Sequence, residues 1–332
     1  MKTSVLGAGA WGTALAIHLG KLYPTKLWAR NSGHASGMKK AQSNPLYLGD
    51  FKFPPLLEIE DSFEKSVSEV DLIVCAVPTS GFRDILKLIG DINQSTTVIW
   101  ANKGLEPETA KLPHEIALEE LGDPEKTKRH WGVISGPSFA AELVRALPTA
   151  LTLAATSKEV ALLAAEIFHH NNMRVYTSSD VIGVSVGGAL KNVIAIAAGI
   201  SDGMGFGNNA RAALITRGLA EISRFGGHLG ANQETFSGLA GSGDLVLTCT
   251  GEYSRNREVG IQLAKGKSLS TILKNLGHVA EGVYTATEVI RRIENIKIEM
   301  PITYEVNNVI QNDKSPKNAV LDLLGRSIKP EN

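Results

Sequence analysis

A chain of 332 residues, 43 % hydrophobic and 20 % charged, is too long for one ordinary core and suits two domains. Its 34 Lys and Arg cancel its 34 Asp and Glu, so no overall field would hold nucleic acid or an acidic membrane, and an anionic ligand must be met by a local cluster. Two cysteines, Cys75 in an apolar run and Cys249, argue against a disulfide framework or a cysteine zinc site and suit a reducing compartment; eight histidines without ligand spacing give no metal centre.

Met1-Lys2-Thr3 leads straight into an apolar segment without a signal-peptide pattern. Residues 3–6 read as a strand, 11–20 as a helix and 26–29 as a second strand. Further strand-like runs lie at 71–77 (DLIVCAV), 97–101 (TVIWA), 131–135, 150–154 and 174–176, with helical patterns between them such as 158–169. Few of these runs alternate with polar residues, which predicts a parallel sheet covered on both faces, an α/β domain. Beyond about residue 180 helical periodicity takes over, as at 210–224 and 254–265. The expected division is 1–180, α/β, and 181–332, mostly helical. The segment 181–200 is as long as a membrane span, but Lys191 and Asn192 sit at its centre among glycines. A central lysine costs about 2.5–3.5 kcal/mol on insertion, so a buried helix is predicted and no membrane insertion.

Gly7-Ala8-Gly9-Ala10-Trp11-Gly12 fits G-x-G-x-x-G between an apolar strand and a helix. There Gly7 permits the tight turn, Gly9 lets a pyrophosphate approach the backbone, and Gly12 lets helix and strand pack closely, with the helix-start N–H groups facing the phosphates. The second strand ends in Trp28-Ala29-Arg30-Asn31 rather than in the carboxylate that favours NAD. Arg30 is open to two readings, a solvated surface residue or a partner for the 2′-phosphate of NADP.

A hydride-transfer enzyme must supply a proton donor and orient its substrate. Lys191, in Gly187-Gly188-Ala189-Leu190-Lys191-Asn192, shares a helix face with Val184, Gly188, Ala195 and Ala198. A lysine on that face is desolvated or points into a cavity, where desolvation would lower its pKa towards the working pH, or else snorkels outward, which the lack of a nearby helix end or polar face disfavours. Gly241-Ser242-Gly243-Asp244 offers a carboxylate that either orients Lys191 or a substrate hydroxyl, or serves only as a turn or cap. Ser254-Arg255-Asn256-Arg257 opens a helix with Ser254 as N-cap. It reads equally as an oxyanion clamp or as a capped helix with solvated arginines. Lys103 and the Gly136-Pro137-Ser138 turn end two neighbouring strands, where open α/β sheets bind ligands.

In chain order, GAGAWGTALA, ANKG at 101–104, GPSFAAE at 136–142, GALKN at 188–192, GLAGSGDLVLTCT at 238–250, SRNR at 254–257 and AEGVYTA at 280–286 closely resemble NAD(P)-dependent glycerol-3-phosphate dehydrogenases of the bacterial type, over nearly the whole chain. The resemblance implies an N-terminal Rossmann dinucleotide-binding domain followed by an all-α C-terminal domain of the 6-phosphogluconate dehydrogenase-like type, in a cytoplasmic homodimer. It implies NADP or NAD as cofactor and reversible reduction of dihydroxyacetone phosphate to sn-glycerol 3-phosphate, feeding glycerophospholipid synthesis. It implies Lys191 as the group that exchanges the proton. As substrate contacts it implies Lys103, Gly136, Ser138, Lys191, Asp244, Ser254, Arg255 and Asn256, with Arg255 and Asn256 on the phosphate. As cofactor contacts it implies Trp11, Arg30, Lys103, Ala140, Arg255, Val279 and Glu281 beside the three glycines. Thr248, four residues after Asp244, is expected to line the site. Ser242 departs from the family's usual apolar residue, and Arg30 and Asn31 occupy positions that vary within it. Two other readings are a β-hydroxyacid or ketopantoate-type reductase, disfavoured by SRNR with ANKG and GPSFA, and a non-catalytic NAD(P) sensor, which would not require Lys191 and Asp244 together.

Overall fold

The computed structural model describes residues 1–93, 95–276, 280–294, 296–328 and 330. The chain divides into two compact units, Met1–Lys103 with Leu112–Ser185, and Gly104–Lys111 with Val186–Asn332.

The first unit is an α/β layer structure built on one eight-stranded sheet. Its strands are β1 (Thr3–Leu6), β2 (Thr25–Trp28), β3 (Leu57–Glu60), β4 (Leu72–Cys75), β5 (Thr97–Trp100), β6 (Trp131–Ser135), β7 (Thr149–Ala155) and β8 (Met173–Ser178), in the order β3-β2-β1-β4-β5-β6-β7-β8. Every residue of β1, β4 and β6 is buried, so both sheet faces are covered and the strands read as unbroken apolar runs. β1 pairs with β2 on one side and with β4 on the other, Thr3 standing in register with Thr25 and with Leu72. Strand order therefore reverses at β1, which makes its carboxyl end a ligand-binding crevice in this topology.

Two features differ from the sequence expectation. β3 was not anticipated: its four residues LEIE lie at the sheet edge and alternate in burial, too short a pattern to stand out. β7 runs antiparallel to β6, whereas every other pair is parallel. The chain between Ser135 and Thr149 holds only the five-residue helix Ala140–Val144, and a parallel return needs a longer crossover than that.

The second unit is helical, and among the described residues it contains no strand. The 23-residue helix Val181–Gly203 is long and apolar enough to cross a membrane, but it is buried within the protein. It crosses the helix Arg255–Ala264 at backbone contact distance. A Cβ on Gly199 would stand 1.9 Å from the Arg257 carbonyl oxygen, and one on Gly260 would stand 2.1 Å from that of Ile196. The helix Gly207–His228 is tied to the start of Pro301–Gln311 by buried Glu221, whose carboxylate accepts from the N–H groups of Ile302 (2.6 Å) and Thr303 (3.1 Å) and from the Thr303 hydroxyl (2.8 Å). The Gly104–Lys111 segment is held by Arg292, which donates to the Ala110 carbonyl at 2.9 Å.

In the first unit the helix Ala10–Leu19, which leaves the glycine loop, is anchored at its far end by His18. The His18 Nε2–H donates to the Phe168 carbonyl at 2.8 Å, and its ring stacks on His170 with centroids 3.9 Å apart. Burial, reinforced by the charges of His170 and Lys21 and opposed by the Phe168 bond, lowers the pKa of His18 to about 4. The unfolded chain takes up this proton near pH 6.5 and the folded chain only near 4, so the stability contributed by neutral His18 is complete above pH 6.5 and is lost as pH falls towards 4. The full loss is about 3 kcal/mol. Urea midpoints measured from pH 7.5 down to about 4 should fall across this window, and His18→Gln should flatten that part of the slope. An unchanged slope in the variant would remove His18 as its source.

Candidate active site

At the carboxyl end of β1 the chain turns through Gly7, whose φ of +111° is a left-handed conformation that side chains resist. A Cβ there would also strike the Ala76 carbonyl oxygen at 2.8 Å. Gly12 allows the helix to close on the turn, since a Cβ on it would stand 1.9 Å from the Gly7 oxygen. Gly9 is different: it is the N-cap of Ala10–Leu19, contributes no side-chain cap, and faces open space where a Cβ would be. Helix-start N–H groups next to an open cradle fit the pyrophosphate of a dinucleotide. Trp11, half-buried, lies in the first turn of this helix.

A residue that sequence reasoning missed fixes the loop from behind. Fully buried Asn44 donates through Nδ2 to the Ala8 carbonyl (3.0 Å) and to Thr13 Oγ1 (2.8 Å), while its Oδ1 lies 3.0 Å from His34 Nε2. Only a loop residue that returns from a distance could do this, and nothing local in the sequence marks it. The end of β2 runs on to exposed Arg30 and Asn31, whose Oδ1 caps the next helix by accepting from the His34 N–H at 2.8 Å.

Beyond β5 and β6, Lys103, Gly136 and Ser138 come together. The Lys103 ammonium donates to the Gly136 carbonyl at 3.4 Å, and the Ser138 hydroxyl donates to the same oxygen at 3.0 Å. Gly136 has φ +136°, with β7 close behind it. Ala140 begins the short helix that follows.

In the second unit Lys191 is 7 % exposed and Asp244 fully buried, and the ammonium donates to Asp244 Oδ1 and, at 2.9 Å, to Thr248 Oγ1. The Thr248 hydroxyl in turn donates to the Asp244 carbonyl at 2.6 Å, which fixes its lone pairs towards the ammonium. Sequence alone left Lys191 desolvated or aimed into a cavity. The structure buries it with a carboxylate and a hydroxyl as partners, which offsets the cost of desolvating the charge. Glycines make this approach possible. A Cβ on Gly187 would lie 2.4 Å from the Ala240 oxygen, and one on Gly241 would lie 2.2 Å from that of Phe236. The segment Leu239–Gly243 forms a π-turn that leads into Asp244–Thr250, with Ser242 bridging the carbonyls of Ser237 (2.8 Å) and Gly238 (3.2 Å). Cys249, on the same helix, is inert: burial raises its thiol to about 12.

Ser254 caps the helix Arg255–Ala264, accepting from the Arg257 N–H at 3.3 Å. Arg255 is exposed and Asn256 buried. Asn256 donates to Asn192 Oδ1 at 2.9 Å and accepts from the Gly282 N–H at 3.1 Å. An amide carries two N–H donors, and Asn192 takes one of them. Asn192, given no role from sequence, thus couples the residue beside Lys191 to the SRNR turn, and a buried amide next to a buried lysine was the available signal. Glu281 starts the helix that carries Gly282, and Val279 lies outside the described residues. Among the described residues no cluster of His, Cys, Asp and Glu could hold a metal ion.

Family models for the N-terminus and the C-terminus of NAD-dependent glycerol-3-phosphate dehydrogenase match residues 2–161 and 180–321. A relative from Methylobacillus flagellatus named glycerol-3-phosphate dehydrogenase (NAD(P)+) is 59 % identical over 331 residues, covering 100 % of this chain and 99 % of its own. One of the same name from Aromatoleum aromaticum is 48 % identical over 332 residues, covering 100 % of both. The crystal structure of glycerol-3-phosphate dehydrogenase from Coxiella burnetii superposes with a TM-score of 0.93 at 39 % identity, covering 98 % of this chain and 99 % of that one.

The glycine contacts generate a direct expectation. Gly12→Ala should push the helix start off the Gly7 turn and raise the dissociation constant for reduced nicotinamide dinucleotide at least about tenfold, read by fluorescence with the folded state checked by circular dichroism. Unchanged affinity in a folded variant would show that this turn does not set the cradle.

Proposed function

The chain belongs to the NAD-dependent glycerol-3-phosphate dehydrogenase family, and on that premise we propose how its own residues carry out the reversible NAD(P)-dependent reduction of dihydroxyacetone phosphate to sn-glycerol 3-phosphate. The observation that carries the proposal is the buried Lys191 ammonium, held by Asp244 and Thr248 at the centre of a largely apolar helix. When bound, the nicotinamide coenzyme supplies the hydride that reduces the carbonyl carbon.

Lys191 protonates the carbonyl oxygen during reduction and takes the hydroxyl proton in the reverse direction. The ammonium has a fixed direction because Asp244 and Thr248 each hold one of its N–H bonds. Once the proton has left, buried Asp244 stands without its counter-charge, which favours reprotonation of the amine. Arg255, Asn256 and the helix start after Ser254 hold the substrate phosphate, which is the local cationic site that a chain of zero net charge requires. Binding energy from the phosphate then orients the carbonyl, a contribution to the barrier remote from the reacting atoms.

The remaining assignments follow the family resemblance. Residues 1–180 act as the NAD(P)-binding domain and 181–332 as the catalytic domain. Gly7, Gly9, Trp11, Gly12, Arg30, Lys103, Ala140, Arg255, Val279 and Glu281 contact the coenzyme. By the same resemblance the substrate contacts are Lys103, Gly136 and Ser138 in the first unit, and Lys191, Asp244, Ser254, Arg255 and Asn256 in the second. Exposed Arg30, with no carboxylate at the end of β2, accepts a 2′-phosphate. The protein works as a soluble cytoplasmic homodimer and supplies glycerol 3-phosphate for glycerophospholipid synthesis.

Near-ultraviolet absorbance of NADPH or NADH, followed with dihydroxyacetone phosphate, tests this reading, and consumption of neither coenzyme by folded protein would refute it. Lys191→Ala should lower kcat about 10²–10⁴-fold, the range for an acid–base group; near-normal turnover would remove Lys191 from the role. Arg30→Ala should raise the KM for NADPH while leaving that for NADH nearly unchanged, and equal effects on both would return Arg30 to the solvated surface.

A further inference from the structure

The proton donor lies on one helix and the phosphate handle at the start of another, so catalysis depends on the separation between the two. Asp202 sits at the far end of Lys191's own helix, with its side chain 7 % exposed. Its Oδ2 accepts from Arg257 Nε at 2.7 Å, and its Oδ1 takes Arg211 through Nη2 at 2.7 Å and Nε at 2.8 Å. Apart from Lys191 it is the one charged residue of that helix, and both of its oxygens are engaged by guanidinium groups.

We propose that Asp202 is a positioning residue for the substrate's phosphate, acting through Arg257; this rests on the phosphate reading of Arg255 and Asn256. Arg257 is gripped at three points. Its carbonyl lies against Gly199, its N–H is capped by Ser254, and its guanidinium is held by Asp202. These contacts fix the first turn of the helix, and with it Arg255 and Asn256, against the helix that carries Lys191. Substituting Asp202 loosens the turn and leaves Lys191, Asp244 and Thr248 in place.

A substrate without the phosphate separates this role from general stabilisation. Wild type, Asp202→Ala and Arg255→Ala are assayed with dihydroxyacetone phosphate and with dihydroxyacetone. For Asp202→Ala, kcat/KM for the phosphorylated substrate should fall about 10–100-fold, mainly through KM. Its kcat/KM for dihydroxyacetone should stay within about twofold. Equal loss on both substrates, or no loss on either, overturns the positioning role. If Arg255→Ala itself leaves the ratio between the two substrates unchanged, the phosphate reading fails. If Arg255→Ala lowers that ratio and Asp202→Ala does not, Asp202 alone loses its assignment. Asp202→Asn, which keeps the volume and one acceptor, replaces Asp202→Ala if that variant does not fold, and the same ratio decides.

Discussion

Burying an ammonium in a helix of small and apolar residues costs several kcal/mol unless a carboxylate and further acceptors meet it, and much of the second unit answers to that requirement at Lys191. Asp244 and Thr248 reach the ammonium only because the loop before them can lie on the helix backbone. Gly187 leaves no room for a β-carbon against Ala240 of that loop, and Gly241 leaves none where the loop folds back on Phe236. The glycine-rich stretch that precedes Asp244 is thus a condition for pairing the charge rather than a flexible connector. Its π-turn and the Ser242 bridge hold it in one arrangement.

The same device, backbone against backbone at glycine, recurs at other helix and loop crossings. Gly199 and Gly260 bring the SRNR helix onto the lysine helix, and Gly282 lies against the Asn192 carbonyl, at a distance of 2.5 Å for a Cβ built there. In the first unit Gly7 and Gly12 close the turn that leaves Gly9 facing open space. Side chains then lock what the glycines permit: Asn44 the glycine loop after β1, Asn192 and Asn256 the second helix start. Neither kind of contact is strong alone, and together they make positions that a bound substrate cannot easily displace.

The parts of this arrangement that were legible in the sequence are those with a local cause. Gly7, Gly9 and Gly12 stand out because a strand leads into them and a helix leaves. Lys191 stands out because a charge in an apolar helix demands a reason, and the buried strands because their apolar runs are bounded by turns. What was not legible depends on residues distant in sequence. Asn44 meets Ala8 and Thr13 from another loop, and Asp202 meets Arg257 across 55 positions. The edge strand β3 is too short to carry a period, and the direction of β7 depends on how little chain precedes it. Gly241 reads from sequence as a turn residue, and its contact partner, like that of Gly187, shows what the missing β-carbon is for.

A double-mutant cycle on Lys191 and Asp244 tests the central claim most directly, using thermal midpoints of Lys191→Met, Asp244→Leu and the double variant. If the buried pair is the constraint that the second unit is built around, each single variant strands a buried charge and lowers the midpoint steeply, and the double variant lowers it by clearly less than the sum. Additive shifts would contradict the account, because they would mean that neither charge depends on the other.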